Sequence, residues 1–316
     1  MKHLVSILLT AIFCTGLPAF ADDEIVSGDH THQPILVRSR PVIERLPLKV
    51  IHPVDVLHNS LNETLVADSS GQMVFRIDSV GQVSTLSRNL KGLARMAESK
   101  SMGLHFLLTE QRQSRIIRIT DNGYSEEVCE LPFAAQGLAA DDFGNLWTCS
   151  QTSNAVFRIT SSGERTLIAN LAEPAKDLVV DSLGATVLLA SGKVMSVTAG
   201  GATDMIGYLP ASAWRLQLNA DQQIVAISRG TDDRCLLSGV TATSEEAADR
   251  LAIVPDGTSA FAFDALGNLI LANPELRAVT RVTSQFRVPC PHCGQLVPMV
   301  FSADAPPAAA PMRRSF

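Results

Sequence analysis

Four segments of this chain read almost alike: Phe75-Arg76-Ile77-Asp78, Ile117-Arg118-Ile119-Thr120, Phe157-Arg158-Ile159-Thr160 and Thr280-Arg281-Val282-Thr283. Each alternates apolar and polar residues, the period of a half-buried strand. The first three run into glycine turns, Val80-Gly81-Gln82, Asp121-Asn122-Gly123 and Ser161-Ser162-Gly163. A second motif also recurs, as Asp142-Phe143-Gly144-Asn145-Leu146 and Ala265-Leu266-Gly267-Asn268-Leu269. Glycine beside Asp and Asn tolerates the left-handed backbone that a tight hairpin needs. A chain that repeats strand, turn and strand in this way is restricted to repeat architectures.

The stretch Gln136–Leu171 shows the whole unit. Gln136–Ala140, Leu146–Cys149, Ala155–Thr160 and Arg165–Ala169 are four strand segments separated by turn residues. None is long enough for three helical turns. Six copies of the unit lie between Lys49 and Val288, a period of about 40 residues. Four strands per unit at that period predict an all-β chain folded as a six-bladed β-propeller, with four antiparallel strands per blade. The sixth copy, Ala260–Thr283, lacks a fourth strand, and a spare strand, Lys49–Ile51, precedes the first copy. The ring is therefore expected to close with an N-terminal strand, which removes its open edges. An open solenoid has no need of a missing strand, and a sandwich does not produce a regular period.

The chain divides into a signal peptide over 1–21, an extended lead-in over 22–46, the propeller over 47–288 and a tail over 289–316. Lys2 and His3 precede the apolar run Leu4–Phe13, and Ala19-Phe20-Ala21 forms a small-residue cleavage site. The apolar run is too short to span a bilayer, and no later stretch is long enough, so no transmembrane anchor is expected. Export to the periplasm, cell envelope or exterior follows. Net charge is −6, and loss of Lys2 takes the mature chain to −7. With no basic stripe, nucleic acid is excluded as a main partner. Cleavage removes Cys14 and leaves Cys129, Cys149, Cys235, Cys290 and Cys293, an odd number that does not make a disulfide scaffold. Cys129 and Cys149 sit in apolar strands as small core residues.

Over residues 48–288 the repeated units resemble the NHL-repeat propellers and their relatives in the regucalcin/gluconolactonase (SMP-30) family. That resemblance implies a closed propeller, and in some relatives a lactonase with one divalent cation at the mouth of the central channel. Ca²⁺ or Mg²⁺ would suit the oxygen ligands of such a site and polarise the lactone carbonyl. The family's first-blade Glu falls near His52-Pro53-Val54-Asp55, where no Glu stands. Its Asn-Gly falls near Gln136-Gly137 or Lys176-Asp177, and its later Asp near Trp214-Arg215. The ligand set is thus not reproduced. The channel-mouth candidates in this chain are His52, Asp55, Gln136, Asp177 and Arg215. Arg215 and Lys176 oppose a cation there and favour an anion.

In the tail, Cys290-Pro291-His292-Cys293-Gly294 resembles a zinc knuckle, in which two thiolates take one edge of a tetrahedron. No second Cys-x-x-Cys supplies the remaining ligands. Cys290 and Cys293 are therefore a candidate zinc half-site, a redox pair or a surface pair without metal. No Gly-x-Ser-x-Gly, His-Glu-x-x-His or phosphate loop is present. Three functions follow as expectations. The first is an exported, non-catalytic propeller that binds a protein, glycan or envelope ligand. The second is a metal-dependent, lactonase-like hydrolase. The third is an assembly protein linked through the C-terminal cysteines.

Overall fold

The computed structural model describes residues 35–37, 42–120, 124–150, 152–219, 221–230, 234–242, 249–283, 287–289 and 296–301. The expected signal peptide, most of the extended lead-in, the Cys290–Cys293 pair and the tail beyond 301 lie outside them. Within them the chain is all-β, and six four-stranded antiparallel sheets form the blades.

Blade 1 comprises Pro53–His58, Thr64–Asp68, Met73–Ile77 and Val83–Ser87. Blade 2 comprises Leu93–Ser99, Gly103–Glu110, Gln113–Ile119 and Ser125–Leu131. Blade 3 runs Ala135–Ala140, Leu146–Ser150, Ala155–Ile159 and Arg165–Asn170. Blade 4 runs Ala175–Asp181, Gly184–Leu189, Lys193–Thr198 and Thr203–Tyr208. Blade 5 holds Arg215–Leu218, Ile224–Arg229, Cys235–Gly239 and Asp249–Val254. Blade 6 holds Ala260–Phe263, Leu269–Asn273 and Ala278–Thr283. The first strand of each blade touches the first strands of both neighbours, so these six strands close around the central channel.

The strand that completes blade 6 is Val42–Arg45, not Lys49–Ile51. It pairs antiparallel with Ala278–Thr283, with Val42 opposite Thr283 and Arg45 opposite Thr280. The lead-in of the sequence reading thus gives its last residues to the ring. The segment mistaken for the closing strand alternates for another reason. Leu46, Leu48 and Val50 are buried in the core between blades 6 and 1, while Pro47, Lys49 and Ile51 are exposed. It crosses from one blade to the next, and the amides of Ile51 and His52 are held by the Asp68 carboxylate at 2.7 and 3.0 Å rather than by a ladder.

The core is divided in the same way. Six hydrophobic clusters each join two consecutive blades, for example Trp147 and Val156 of blade 3 with Leu178 and Val187 of blade 4. The second strand of a blade is covered on both faces, and in blades 1, 3 and 6 it is buried along its whole length, over Thr64–Asp68, Leu146–Ser150 and Leu269–Asn273.

The ring has two ends. At the mouth the first strands begin. At the opposite end, termed the turn face, the first strand hands over to the second and the third to the fourth. The turns there are set by side chains. Asp141 Oδ1 accepts the amides of Phe143 and Asn145 at 3.0 and 2.8 Å, and its Oδ2 accepts Trp147 Nε1 at 2.9 Å. Gly144 supplies the left-handed residue, with φ 86°. Outside the ring, Ile35–Val37 pairs parallel with Leu296–Phe301, which pairs antiparallel with Arg287–Pro289.

Candidate functional site: a charge circuit across the central channel

Near the start of each first strand one residue takes the same place in the blade. Asp55 stands opposite Ala67, Arg95 opposite Leu107, Asp177 opposite Leu188, Arg215 opposite Ile227 and Ala260 opposite Ala272. Gly137 occupies the matching bulge of blade 3, between Ala135 and Leu138. Around the ring the order is therefore Asp, Arg, Gly, Asp, Arg, Ala.

The charges pair across the small residues. Arg95 Nη2 lies 3.1 Å from Asp177 Oδ1, passing the blade that carries Gly137. Arg215 Nη1 lies 3.4 Å from Asp55 Oδ1, passing the blade that carries Ala260, and Arg215 Nη2 donates to Val54 O at 2.8 Å. The other carboxylate oxygens turn to the backbone. Asp55 Oδ2 accepts the amide of Met96 at 2.7 Å, and Asp177 Oδ2 accepts the amide of Leu216 at 2.9 Å. Each donor amide belongs to the residue that follows one of the two arginines in sequence. The result is a closed circuit with a pseudo-twofold relation between blades 1–3 and blades 4–6.

The four side chains are almost fully withdrawn from solvent, with at most 13% of the Arg95 side chain exposed. Burial pushes the carboxyls of Asp55 and Asp177 up to about 6 each, and the Arg95 guanidinium opposes that rise at both.

The circuit divides the channel. On the mouth side a cleft of about 430 Å³ is lined by Val54, Ser69, Ala94, Arg95, Thr109 and Gln136, among others. On the other side a smaller chamber of about 160 Å³ is bordered by Asp55, Arg95, Glu98, Asp177, Arg215 and Gln217. Of the sequence candidates, Asp55, Asp177 and Arg215 come together in the circuit, and Gln136 lines the cleft above it. His52 is exposed and borders neither space. Lys176 Nζ is tied to Ala211 O. Arg95 was not among the candidates, although it lies one repeat of 40 residues after Asp55.

These residues do not fit a divalent cation. Such a site needs oxygens that carry uncompensated charge, and here each carboxylate faces a guanidinium. Among the described residues no group of three or more His, Cys, Asp and Glu side chains is placed to hold a metal. Nor, among the described residues, does Cys149 offer the channel a ready thiol nucleophile. Cys149 is fully buried, and burial pushes its thiol far up. His105, in blade 2, is pushed down to about 4 by burial and is held at Nδ1 by Gly103 O at 3.1 Å.

Known structures share this architecture. Virginiamycin B lyase from Staphylococcus aureus superposes with a TM-score of 0.58 at 15% identity, over 78% of this chain and 99% of that one. A putative gluconolactonase gives 0.61 at 13% identity, over 84% and 96%. A gluconolactonase from Xanthomonas campestris gives 0.59 at 13%, over 77% and 89%. The fold is that of these six-bladed propellers. No sequence-family profile and no curated protein matches the chain. At such identities the likeness carries the architecture and no chemistry.

Proposed function

We propose that this protein is a non-catalytic binding propeller, acting after export, whose mouth cleft receives an uncharged polar group of a protein or carbohydrate ligand. One observation carries this reading: both carboxylates at the channel position are neutralised by arginines from across the ring. A site whose fixed charges cancel offers little to a free cation or a free anion. Ser69, Thr109 and Gln136 give the cleft a polar lining, in which the Ser69 hydroxyl donates to His52 O at 3.3 Å and the Thr109 hydroxyl pairs with Ser114 Oγ at 3.0 Å. Export is supported by the apolar run Leu4–Phe13 and the Ala19-Phe20-Ala21 site.

The test has two parts. Titration calorimetry with Ca²⁺, Mg²⁺, Mn²⁺ and Zn²⁺, with gluconolactone hydrolysis followed in the same buffers, is expected to give neither stoichiometric binding at the channel nor turnover above background. Arrays of soluble glycans and peptides are expected to yield a ligand bound by the wild type and lost in Ala94→Trp, which fills the cleft. Cation binding and lactone hydrolysis that both disappear in Asp55→Asn would overturn the proposal in favour of the hydrolase.

A further inference from the structure

The large apolar side chains left in solvent are not spread evenly over the ring. The six most exposed among the described residues are Phe143 at 87%, Leu266 at 86%, Leu183 at 78%, Val80 at 76%, Tyr124 at 75% and Leu61 at 70%. All six lie at the turn face. Leu61, Phe143, Leu183 and Leu266 occupy the turns between first and second strands of blades 1, 3, 4 and 6. Val80 and Tyr124 occupy turns between third and fourth strands of blades 1 and 2. At the mouth the most exposed large apolar residues are Ile253, in the outer strand of blade 5, at 63%, and Leu276 and Ile51, at 57% and 54%.

The inner four are held out by a common device. An Asp or Asn two residues earlier accepts their backbone amide: Asn59 for Leu61 at 3.2 Å, Asp141 for Phe143 at 3.0 Å, Asp181 for Leu183 at 2.7 Å and Asp264 for Leu266 at 3.0 Å. These are fixed knobs rather than loose loops. Blade 5 makes the same turn with Asp221 in the corresponding place, so the crown is interrupted there. Some of the charges between knobs are taken up locally, while Asp78, Asp141 and Asp181 accept backbone amides of their own turns. Lys100 Nζ meets Asp142 Oδ1 at 2.6 Å, and Glu98 accepts from the Ser60 amide and hydroxyl, both at 2.7 Å.

Both ends of the ring leave on this face. Val42 and Thr283 stand opposite each other at the turn end of blade 6. In sequence, 38–41 separate Val42 from Ile35–Val37, and 284–286 separate Thr283 from Arg287–Pro289, whose partner strand is Leu296–Phe301.

We propose that the turn face docks on a lipid bilayer surface. A single peptide would not cover knobs distributed over four blades of a ring, and a rigid partner would need a separate socket for each. A bilayer interface accepts isolated apolar and aromatic knobs wherever they fall. The pairing of Lys100 with Asp142, and the absence of a cationic cluster among the turn residues described, match a zwitterionic rather than an anionic headgroup layer. The proposal is independent of the mouth cleft, at the other end of the channel.

Flotation with phosphatidylcholine vesicles tests it, comparing the wild-type chain with Phe143→Ser/Leu183→Ser/Leu266→Ser in the same background. Any contribution from the apolar run Leu4–Phe13 then cancels. The triple variant is expected to keep its thermal unfolding midpoint and to lose vesicle partitioning by about 100-fold, from the apolar area removed. Should its midpoint fall, Phe143→Ser alone serves, with a loss of about 10-fold. Addition of phosphatidylglycerol is expected not to strengthen binding. Three results would each overturn the assignment: a wild-type chain that stays out of the vesicle fraction, a variant that floats as well as the wild type, or a wild-type dimer that the substitutions split without changing flotation. The last would assign the face to a second copy.

Discussion

Arg95 reaches Asp177 over Gly137, and the missing side chain is what lets it do so. A Cβ at residue 137 would lie 2.7 Å from Asp177 Oδ1 and 2.8 Å from the amide of Leu178. The salt bridge of 3.1 Å and the close approach of blades 3 and 4 therefore rest on one glycine.

Gly137→Ala is expected to lower stability by about 1–3 kcal/mol, the range for overpacking a filled interior. Because Leu178 contributes backbone at the point of contact, the strain has no flexible side chain to absorb it. Urea denaturation of the variant beside Gly71→Ala would check the origin. There the added Cβ meets side-chain atoms only, the nearest being Asp68 Oδ2 at 3.0 Å, and the backbone is not left-handed. A Gly137→Ala variant as stable as the wild type would show that blades 3 and 4 are not tightly joined at the circuit.

Breaking one arm of the circuit is expected to cost more than removing it whole. Arg215→Met leaves Asp55 buried without its guanidinium, a loss of about 3–5 kcal/mol. The double variant Arg215→Met/Asp55→Asn removes both charges, and the asparagine oxygen still accepts an amide hydrogen bond. It is expected to recover at least half of that loss. A double-mutant cycle by chemical denaturation measures the coupling.

Acid is expected to favour the native ring at these two carboxyls. Asp55 and Asp177 have folded pKa values near 6, above the ordinary 3.8. The native state therefore binds more protons than the unfolded chain between those values. Their contribution to stability is fully present below about 4 and is lost as the pH rises through about 6. Each shift corresponds to a few kcal/mol, on the order of 2–3 by linkage. Other carboxylates are superimposed on this, so the readout is a difference: Asp55→Asn/Asp177→Asn should flatten the dependence of unfolding free energy on pH between 4 and 6.

Truncation separates the closing strand from the lead-in. A chain beginning at residue 41 retains Val42–Arg45 and is expected to unfold in one cooperative transition. A chain beginning at residue 47 lacks that strand and exposes the edge of Ala278–Thr283. It is expected to lose several degrees in Tm and to aggregate through the open edge, as followed by calorimetry and light scattering.

Much of the architecture was legible, since the period of about 40 residues and the recurring Asp-x-x-Gly-Asn-Leu turn set the number of blades and the order of strands. The position of the seam was misread. Leu46, Leu48 and Val50 alternate like a strand, yet the alternation reports burial between two blades and says nothing of hydrogen-bonded partners. The candidate site was only partly legible. Asp55, Asp177 and Arg215 stood out because they fell near the ligand positions of similar propellers. Arg95 did not, although stepping one repeat forward from Asp55 lands on it. That Arg95 pairs with Asp177 rather than with its own neighbour could not be read from spacing. It depends on which intervening blade carries a side chain too small to stand in the way.

The seam in blade 6 also imposes an order of events. Arg45 Nη2 donates to Arg277 O across 232 residues of sequence, between strands at opposite ends of the ring-forming chain. The strand Val42–Arg45 thus emerges early during synthesis and has no ladder partner until Ala278–Thr283 arrives. Closing so long a loop is entropically slow. A chain interrupted before residue 278 has no way to finish the circle and keeps an unpaired edge. A finished molecule and a fragment therefore differ at one place, the junction of Val42–Arg45 with Ala278–Thr283, which is paired in the first and open in the second.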